Sequence, residues 1–417
     1  MNGLILAFIA YLAVLIIIGL IFYKQSNTES SFVSGNRSLN YWVTAISAQT
    51  SDMGSWLFIA YPAVVYTNGL FEIWTAVGLW FVMLLNWVYI APKIRAETET
   101  YNSLTLSDYF ANRLNDKTDQ IKILSAIISI AFFIFYISSG FVGLGRVFES
   151  AFNIDYVYGL IIGLFITLSY TLIGGFLAVS WCNLFQGILL LAIILFVPTY
   201  ALFLIGGCKT VVAAAAAKNI SLALFPSFSK VGNALRLIFG FGLGYFGQPH
   251  ILVNFMGIKD KNKIKYAARV GLIWQIFALF GAVMIAFVSI GFFQNGGINN
   301  EHLFVEMVKQ LFSSFVAGFA LCGILAAILS TVTTQTLVAT ANLSEDLYKT
   351  SHPKASSKQL LWISRVGIIG ITAISFLLAL TNNESIYNLV LYAWSGLGSA
   401  FGPLLILCLY TKIPTKQ

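Results

Sequence analysis

Long apolar runs alternate with short polar segments along almost the whole chain. Runs of spanning length fall near 4–23, 41–66, 73–91, 123–146, 157–177, 181–206, 232–256, 270–293, 313–340, 362–380 and 386–410. The pattern predicts an all-α polytopic membrane protein with about 11 transmembrane helices. Two runs depart from a plain membrane helix. The first carries Ser47-Ala48-Gln49-Thr50-Ser51-Asp52-Met53-Gly54-Ser55-Trp56 at its centre. An aspartate at that depth costs roughly 2.5–3.5 kcal/mol, and irregular backbone there survives only against protein or a cavity. The stretch therefore predicts a helix broken at mid-membrane; the plainer alternative is an intact helix whose Ser and Thr hydroxyls bond back to their own carbonyls. The second run carries Gly240-Phe241-Gly242-Leu243-Gly244-Tyr245-Phe246-Gly247-Gln248-Pro249-His250, and four glycines with a proline cannot sustain an ideal helix.

The second interruption lies five helices after the first. Interrupted segments at corresponding positions point to an inverted-repeat secondary transporter with a midplane site. On that reading residues 1–417 form one transmembrane domain. Residues 1–40 are an added first helix and loop, 41–206 the first five-helix repeat and 232–410 the second, with helices 2 and 7 broken. Glycine-rich close packing is the structural alternative.

Composition agrees with a membrane protein: 58% of residues are apolar and 10% charged, against about a quarter charged in soluble domains. The N-terminus lacks a basic region and a small-residue cleavage site, so the first run reads as a retained helix. The net charge of +8 is a matter of topology. Most Lys and Arg fall in alternate loops, at Lys24 and Arg37, from Lys93 to Lys122, from Lys259 to Arg269, from Lys349 to Arg365, and at Lys412 and Lys416. The positive-inside rule then puts the N-terminus outside and the C-terminus in the cytoplasm of a multi-pass plasma (inner) membrane protein. No nucleic-acid partner is needed to explain the charge. The loop after Pro92 holds Leu104-Thr105-Leu106-Ser107-Asp108-Tyr109-Phe110, which predicts a surface amphipathic helix capped by Ser107 or Asp108. Gly174-Gly175 predicts a tight turn between helices five and six, and Ala213–Ala217 is helix-prone.

The candidate chemistry is that of binding. In the ninth run Gly323, Ala327, Ser330, Thr331 and Thr334 share one helix face. Two hydroxyls near a carbonyl suit a hard monovalent cation, and unwound carbonyls of the broken second helix suit the remaining coordination; small-residue packing is the plainer reading. The cysteines Cys182, Cys208, Cys322 and Cys408 are scattered without metal spacing. The three histidines lie in different segments, with no HExxH or GxSxG, so nothing predicts an enzyme or a resident cofactor.

At these residues the chain resembles the sodium:solute symporter family, and most closely its sodium/proline branch. The resemblance rests on Ser51-Asp52-Met53, on Leu104 to Phe110, and on Gly174-Gly175-Phe176-Leu177-Ala178-Val179-Ser180-Trp181. It continues through Gly242 to Ile251, Ser330-Thr331, Glu345-Asp346-Leu347-Tyr348-Lys349 and Tyr392-Ala393-Trp394. It implies a LeuT-like fold of 5+5 inverted repeats and Na+-coupled uptake, with Na+ as the coupling ion and no other cofactor. It further implies that carbonyls of Thr50, Met53 and Ala327 and hydroxyls of Ser330 and Thr331 hold sodium. Asp52 serves sodium coupling, and Gly54, Ser55, Phe241, Tyr245 and Pro249 line the solute pocket. Departures from the proline carriers' pattern are Gly54-Ser55 in place of Ser-Gly, Phe241 in place of Trp, Cys182-Asn183 in place of Thr-Asp, and Asn254 in place of a basic residue. Proteins of this pattern extend two helices past the position of Gln417, outside the ten-helix core. The expectation is a Na+ symporter for a small organic solute, with proline foremost. Another amino acid, a sugar or an organic acid is the alternative cargo, and a channel or membrane sensor the alternative class.

Overall fold

The computed structural model describes residues 2–411 except 24, 26–27, 226, 294–297 and 382–383; Lys24, Lys412 and Lys416, used above for topology, lie outside the described residues. All regular structure among the described residues is helical, with one isolated bridge between Leu39 and Ile258. Among the described residues, eight helices are long and apolar enough to cross a membrane. The first, α1 (Asn2–Tyr23), packs on two later helices and leaves Ile9, Ile17, Leu20 and Ile21 on its exposed side. A rim of exposed large apolar residues suits a chain whose surroundings are lipid.

After the short α2 (Glu29–Ser34), α3 (Tyr41–Ser55) begins at an Asn40 cap, whose side chain accepts from the Val43 amide at 2.9 Å. Its break is narrower than the ten-residue interruption predicted. Thr50 and Ser51 bond back to the carbonyls of Ile46 (2.9 Å) and Ala48 (3.0 Å), as in an intact helix. The non-helical residue is Gly54, at φ 47° and ψ −155°, a conformation essentially reserved for glycine. A π-helical turn, Trp56–Ala60, then leads into α4 (Tyr61–Asn68). Helices α5 (Ile73–Leu85) and α6 (Ala91–Thr100) follow as one crossing with a π-helical turn between them.

The amphipathic helix α7 (Leu106–Leu114) forms as expected, but its cap is Thr105, whose hydroxyl accepts from the Asp108 amide at 3.0 Å. Ser107 and Asp108 lie inside the first turn instead. Tyr109 and Phe110 are fully buried, so the helix packs into the protein and does not lie on the surface. After α8 (Gln120–Phe152) comes α9 (Tyr156–Leu204), 49 residues long. At 1.5 Å per residue that is about 73 Å, far beyond a hydrocarbon core of about 30 Å. Gly175 folds it at φ 58° and ψ −155°, nearly the conformation of Gly54. The predicted turn at Gly174-Gly175 therefore forms, as a sharp elbow between the two helical arms of α9. The Ala213–Ala217 run lies in α10 (Cys208–Ala217).

The second interruption matches its prediction closely. α11 (Val231–Gly242) tightens into a 3-10 turn, Leu243–Gly247, passes through extended Gln248, and resumes as α12 (Pro249–Met256) with proline in its first turn, where no amide is missed. The chain continues through α13 (Ile264–Phe292), α14 (Leu303–Leu311) and α15 (Ser314–Ala341). A π-helical segment Asn342–Tyr348 and the turn α16 (Lys349–Ser351) extend α15, and α17 (Ser357–Thr381) and α18 (Ile386–Tyr410) complete the fold. α15, rich in Ala, Ser and Thr, is the central pillar, packed by α1, α3, α8 and α9; small side chains let these helices approach closely.

The elbow yields a stability prediction. A Cβ at Gly175 would lie 2.7 Å from Phe32 Cδ2 and 2.9 Å from the Phe32 carbonyl oxygen, on top of a backbone cost of about 1–3 kcal/mol. Gly175→Ala is expected to lower the apparent melting temperature of detergent-purified protein by several degrees, read by size-exclusion after heating. An unchanged melting curve would contradict the strained elbow.

Candidate functional site: a hydroxyl pair at one break and a carboxylate at its rim

The break at Gly54 lies against the middle of α15, and the polar atoms there converge. Ser330 Oγ donates to the carbonyl of Thr50 at 3.0 Å and to that of Ala327 at 2.9 Å. Thr331 Oγ1 donates to the same Thr50 carbonyl at 3.1 Å and accepts from the Gly54 amide at 2.8 Å. Four of the five residues expected to hold sodium are therefore hydrogen-bonded into one cluster. The fifth, Met53, lines a small cavity with Thr331, and its carbonyl accepts from the Trp56 amide. All these oxygens are neutral and buried. Such a donor set suits a hard monovalent cation and offers no carboxylate for a divalent one. Below it, Asn183 donates through one amide nitrogen to Ser47 Oγ (3.0 Å) and Thr334 Oγ1 (2.9 Å). This position is filled by a donor where the proline carriers' pattern has an acid.

Asp52 faces elsewhere. It is 7% exposed and accepts from the Tyr245 hydroxyl at 2.5 Å. Tyr245 belongs to the 3-10 turn of the other broken helix, so this contact joins the two breaks. Gln275 on α13 donates to the Tyr245 hydroxyl at 3.0 Å, and Asn86 donates to the Tyr245 carbonyl at 3.1 Å. The phenol is thereby fixed as the donor that meets the carboxylate.

Asp52 opens onto a second small cavity with Trp56, Leu79, Tyr136, Phe241, Val390 and Trp394. Trp56, Tyr136 and Val390 also border the first cavity, where Gly54 and Ser55 lie. Trp56 is stacked on Tyr61 at 4.5 Å between centroids, and Phe241 lies between Trp56 and Tyr387. The result is an aromatic box with one acidic corner, closed down in this conformation to room for about one water molecule. Of the residues expected to line a solute pocket, Gly54, Ser55 and Phe241 border these spaces. Tyr245 reaches them through Asp52 and Trp394, while Pro249 starts α12 and borders neither. The Gly54 amide is taken by Thr331.

Sequence reasoning missed Tyr136, Leu79, Val390, Trp394 and Gln275. The polar step Ser138-Ser139-Gly140 inside an otherwise apolar run was the available signal for α8. Gln275 is itself a polar residue inside an apolar run, and Trp394 belongs to the Tyr392-Ala393-Trp394 motif, whereas Leu79 and Val390 are ordinary apolar residues that only the packing brings to the site.

Two irregular helices crossing at mid-membrane, with neutral oxygens at one break and an aromatic box between them, define the class of ion-coupled secondary transporters. The sequence model of the sodium:solute symporter family matches residues 32–417, and the chain belongs to that family. A sodium/proline symporter of Staphylococcus aureus (strain NCTC 8325 / PS 47) is 40% identical over 415 residues, covering 97% of this chain and 81% of the relative. The substrate-bound outward-open structure of a Na+-coupled sialic acid symporter superposes with a TM-score of 0.84 at 17% identity, over 98% of this chain and 87% of that one. The structure of MhsT in complex with L-phenylalanine gives a TM-score of 0.65 at 15% identity, over 88% of each chain. At those identities the two structures establish a shared LeuT-like fold alone.

The Asp52–Tyr245 contact generates a prediction. A hydrogen bond to a charged group is worth about 1.5–3 kcal/mol. Tyr245→Phe, which keeps the ring, is therefore expected to cut Na+-driven uptake at subsaturating solute by about tenfold or more. Uptake within twofold of the parent, at equal protein in the vesicles, would remove Tyr245 from the site.

Proposed function

We propose that this chain imports a small zwitterionic solute, proline first among candidates, together with Na+. The observation that carries the reading is the Thr50 carbonyl, held by both Ser330 and Thr331 at a break two residues from Asp52. A cation bound by Thr50, Met53, Ala327, Ser330 and Thr331 would set the backbone of α3 around Gly54. Asp52 would pass that geometry to Tyr245 and the aromatic box. Ion binding then favours the solute-ready state, and rocking of the helices exposes both ligands to the other side. We assign residues 41–206 and 232–410 to the two repeats, and place the N-terminus outside and the C-terminus in the cytoplasm. At about −100 mV one Na+ contributes roughly 2.3 kcal/mol, enough to concentrate a neutral solute on the order of 40-fold.

Proline as cargo is supported by the 40% identity to curated sodium/proline symporters. The aromatic lining, with one acidic corner for an imino group, suits it as well. Phe241 stands where the proline carriers' pattern has Trp, which removes ring area and an indole donor. The reversed Gly54-Ser55 order has a backbone reason here: Gly54 has a positive φ, and a Cβ there would be strained whatever the space. Phe241 is accordingly the residue on which a change of cargo would turn, and another amino acid is the second reading.

Two measurements test the proposal in vesicles carrying a sodium gradient. Replacing Ser330 and Thr331 together by Ala removes two neutral ligands at about 0.5–1.5 kcal/mol each. The Na+ concentration for half-maximal uptake is expected to rise about tenfold or more, and an unchanged sodium dependence would sink the ion site. Labelled proline uptake challenged with excess unlabelled amino acids tests the cargo. Proline is expected to be taken up, with larger amino acids competing, and Phe241→Trp is expected to weaken that competition. If the parent takes up no proline at any sodium concentration, the cargo assignment fails and the ion site stands on its own test.

A further inference from the structure

The Tyr392-Ala393-Trp394 step of α18 has no part in the sodium ligands, yet it is bound into the second break more tightly than any other helix. Trp394 Nε1 donates to the carbonyl of Phe241 at 2.9 Å, at the end of α11. Gln248, the extended residue on the far side of the turn, donates through its amide to the carbonyls of Gly244 (3.1 Å) and Trp394 (3.0 Å). The 3-10 turn is thus laced to α18 at both of its ends. Trp394, Gly398 and Gly402 lie at i, i+4 spacing on one face of α18, and that face meets the turn backbone to backbone. A Cβ at Gly244 would lie 2.1 Å from Trp394 Nε1, one at Gly398 2.8 Å from Gly244 Cα, and one at Gly247 2.6 Å from the Leu397 carbonyl oxygen.

Pulling the turn from α18 would break the two bonds that cross between them, Trp394 Nε1 to the Phe241 carbonyl and Gln248 to the Trp394 carbonyl, and would strand the indole N–H at membrane depth, which lipid cannot repair. The turn and α18 therefore move as one piece. That piece touches the first broken helix through Tyr245, whose hydroxyl is on Asp52 and whose ring meets Trp394 edge-on, 4.9 Å between centroids at 84°. Trp394 also borders the solute cavity beside Phe241. One side chain therefore touches the solute space, fixes the freed carbonyl of the second break and buttresses the phenol that meets Asp52.

We propose that Trp394 is the positioning residue that couples the two breaks: by lacing the Leu243–Gly247 turn to α18 it holds Tyr245 on Asp52, so that sodium bound at the first break also orders the second, where solute is received. The inference rests on the ion-site reading above and adds a route from that site to the cargo. It requires no knowledge of the cargo.

Hydrogen–deuterium exchange of the purified full chain, with NaCl against KCl, reads the coupling directly. In the parent, Na+ is expected to slow exchange in peptides covering 48–56 and in peptides covering 241–248. Trp394→Phe keeps the ring and removes the N–H; it is expected to keep the protection at 48–56 while losing about fivefold of that at 241–248, the equivalent of about 1 kcal/mol. Gln248→Met severs the lacing from the other side and should behave alike, so it carries the test should the tryptophan variant fail to fold. A merely structural role would speed exchange in both segments with or without Na+. Full sodium protection of both segments in the variants would overturn the coupling, as would a parent protected at 48–56 alone. A parent protected in neither segment would bring down the ion site and the coupling together.

Discussion

Inside a bilayer no backbone amide or carbonyl can be left to water, and the architecture follows from how two broken helices meet that demand. Gly54 releases groups that α15 takes up: the Thr50 carbonyl accepts from Ser330 and Thr331, and the Gly54 amide donates to Thr331. The 3-10 turn of the second break leans on α18 and on the π-helical turn after α5 instead, through Trp394, Gln248 and the Asn86 amide. Each break is repaired by polar side chains on neighbouring helices, and those repairs create the binding geometry. On the reading proposed above, a cation that offered the Thr50 carbonyl a stronger partner than two neutral hydroxyls would have a direct hold on the bend of α3. The Asp52–Tyr245 hydrogen bond would extend that hold to a second chain segment almost two hundred residues away.

How much of this was legible in the sequence depended on whether the relevant residues were anomalous for their surroundings. Asp52 and four glycines around Tyr245 are expensive in lipid, so both breaks and the hydroxyl pair Ser330-Thr331 stood out. The extent of the first break was overestimated because hydroxyls that bond back along a helix look the same on paper as hydroxyls freed for a ligand. Only the φ of Gly54 separates the two cases. The cap of α7 was misplaced by two or three residues because Thr105, Ser107 and Asp108 are all competent caps, and tertiary packing of Tyr109 and Phe110 chose among them. Leu79 and Val390 carried no signal at all: an apolar residue in a membrane helix is ordinary until the fold aims it inward.

Gly54 and Gly175 share one unusual conformation, and both sit where a helix changes direction without an intervening loop. At Gly54 the turn joins α3 to α15, since the amide it exposes is donated across to Thr331. At Gly175 it is structural, a socket for Phe32. The same local geometry thus acquires its role from what faces it, which is why a glycine in a membrane helix cannot be assigned a purpose from sequence alone.

The isolated bridge between Leu39 and Ile258 joins the start of the first broken helix to the end of the second. The Leu39 amide donates to the Gly257 carbonyl at 3.1 Å and the Lys259 amide to the Leu39 carbonyl at 2.8 Å, while Arg95 caps the Ile258 carbonyl at 2.7 Å. Parting the two helices at this end means breaking that pair of backbone bonds, at about 0.5–1.5 kcal/mol each. Their sum is of the same order as the roughly 2.3 kcal/mol that one sodium ion draws from a 100 mV potential. Were the two helices to part at this end during transport, the cost of these two bonds would lie within a single ion's driving force. Because the pair is made of main chain, side-chain changes that retune the cargo can leave its strength untouched.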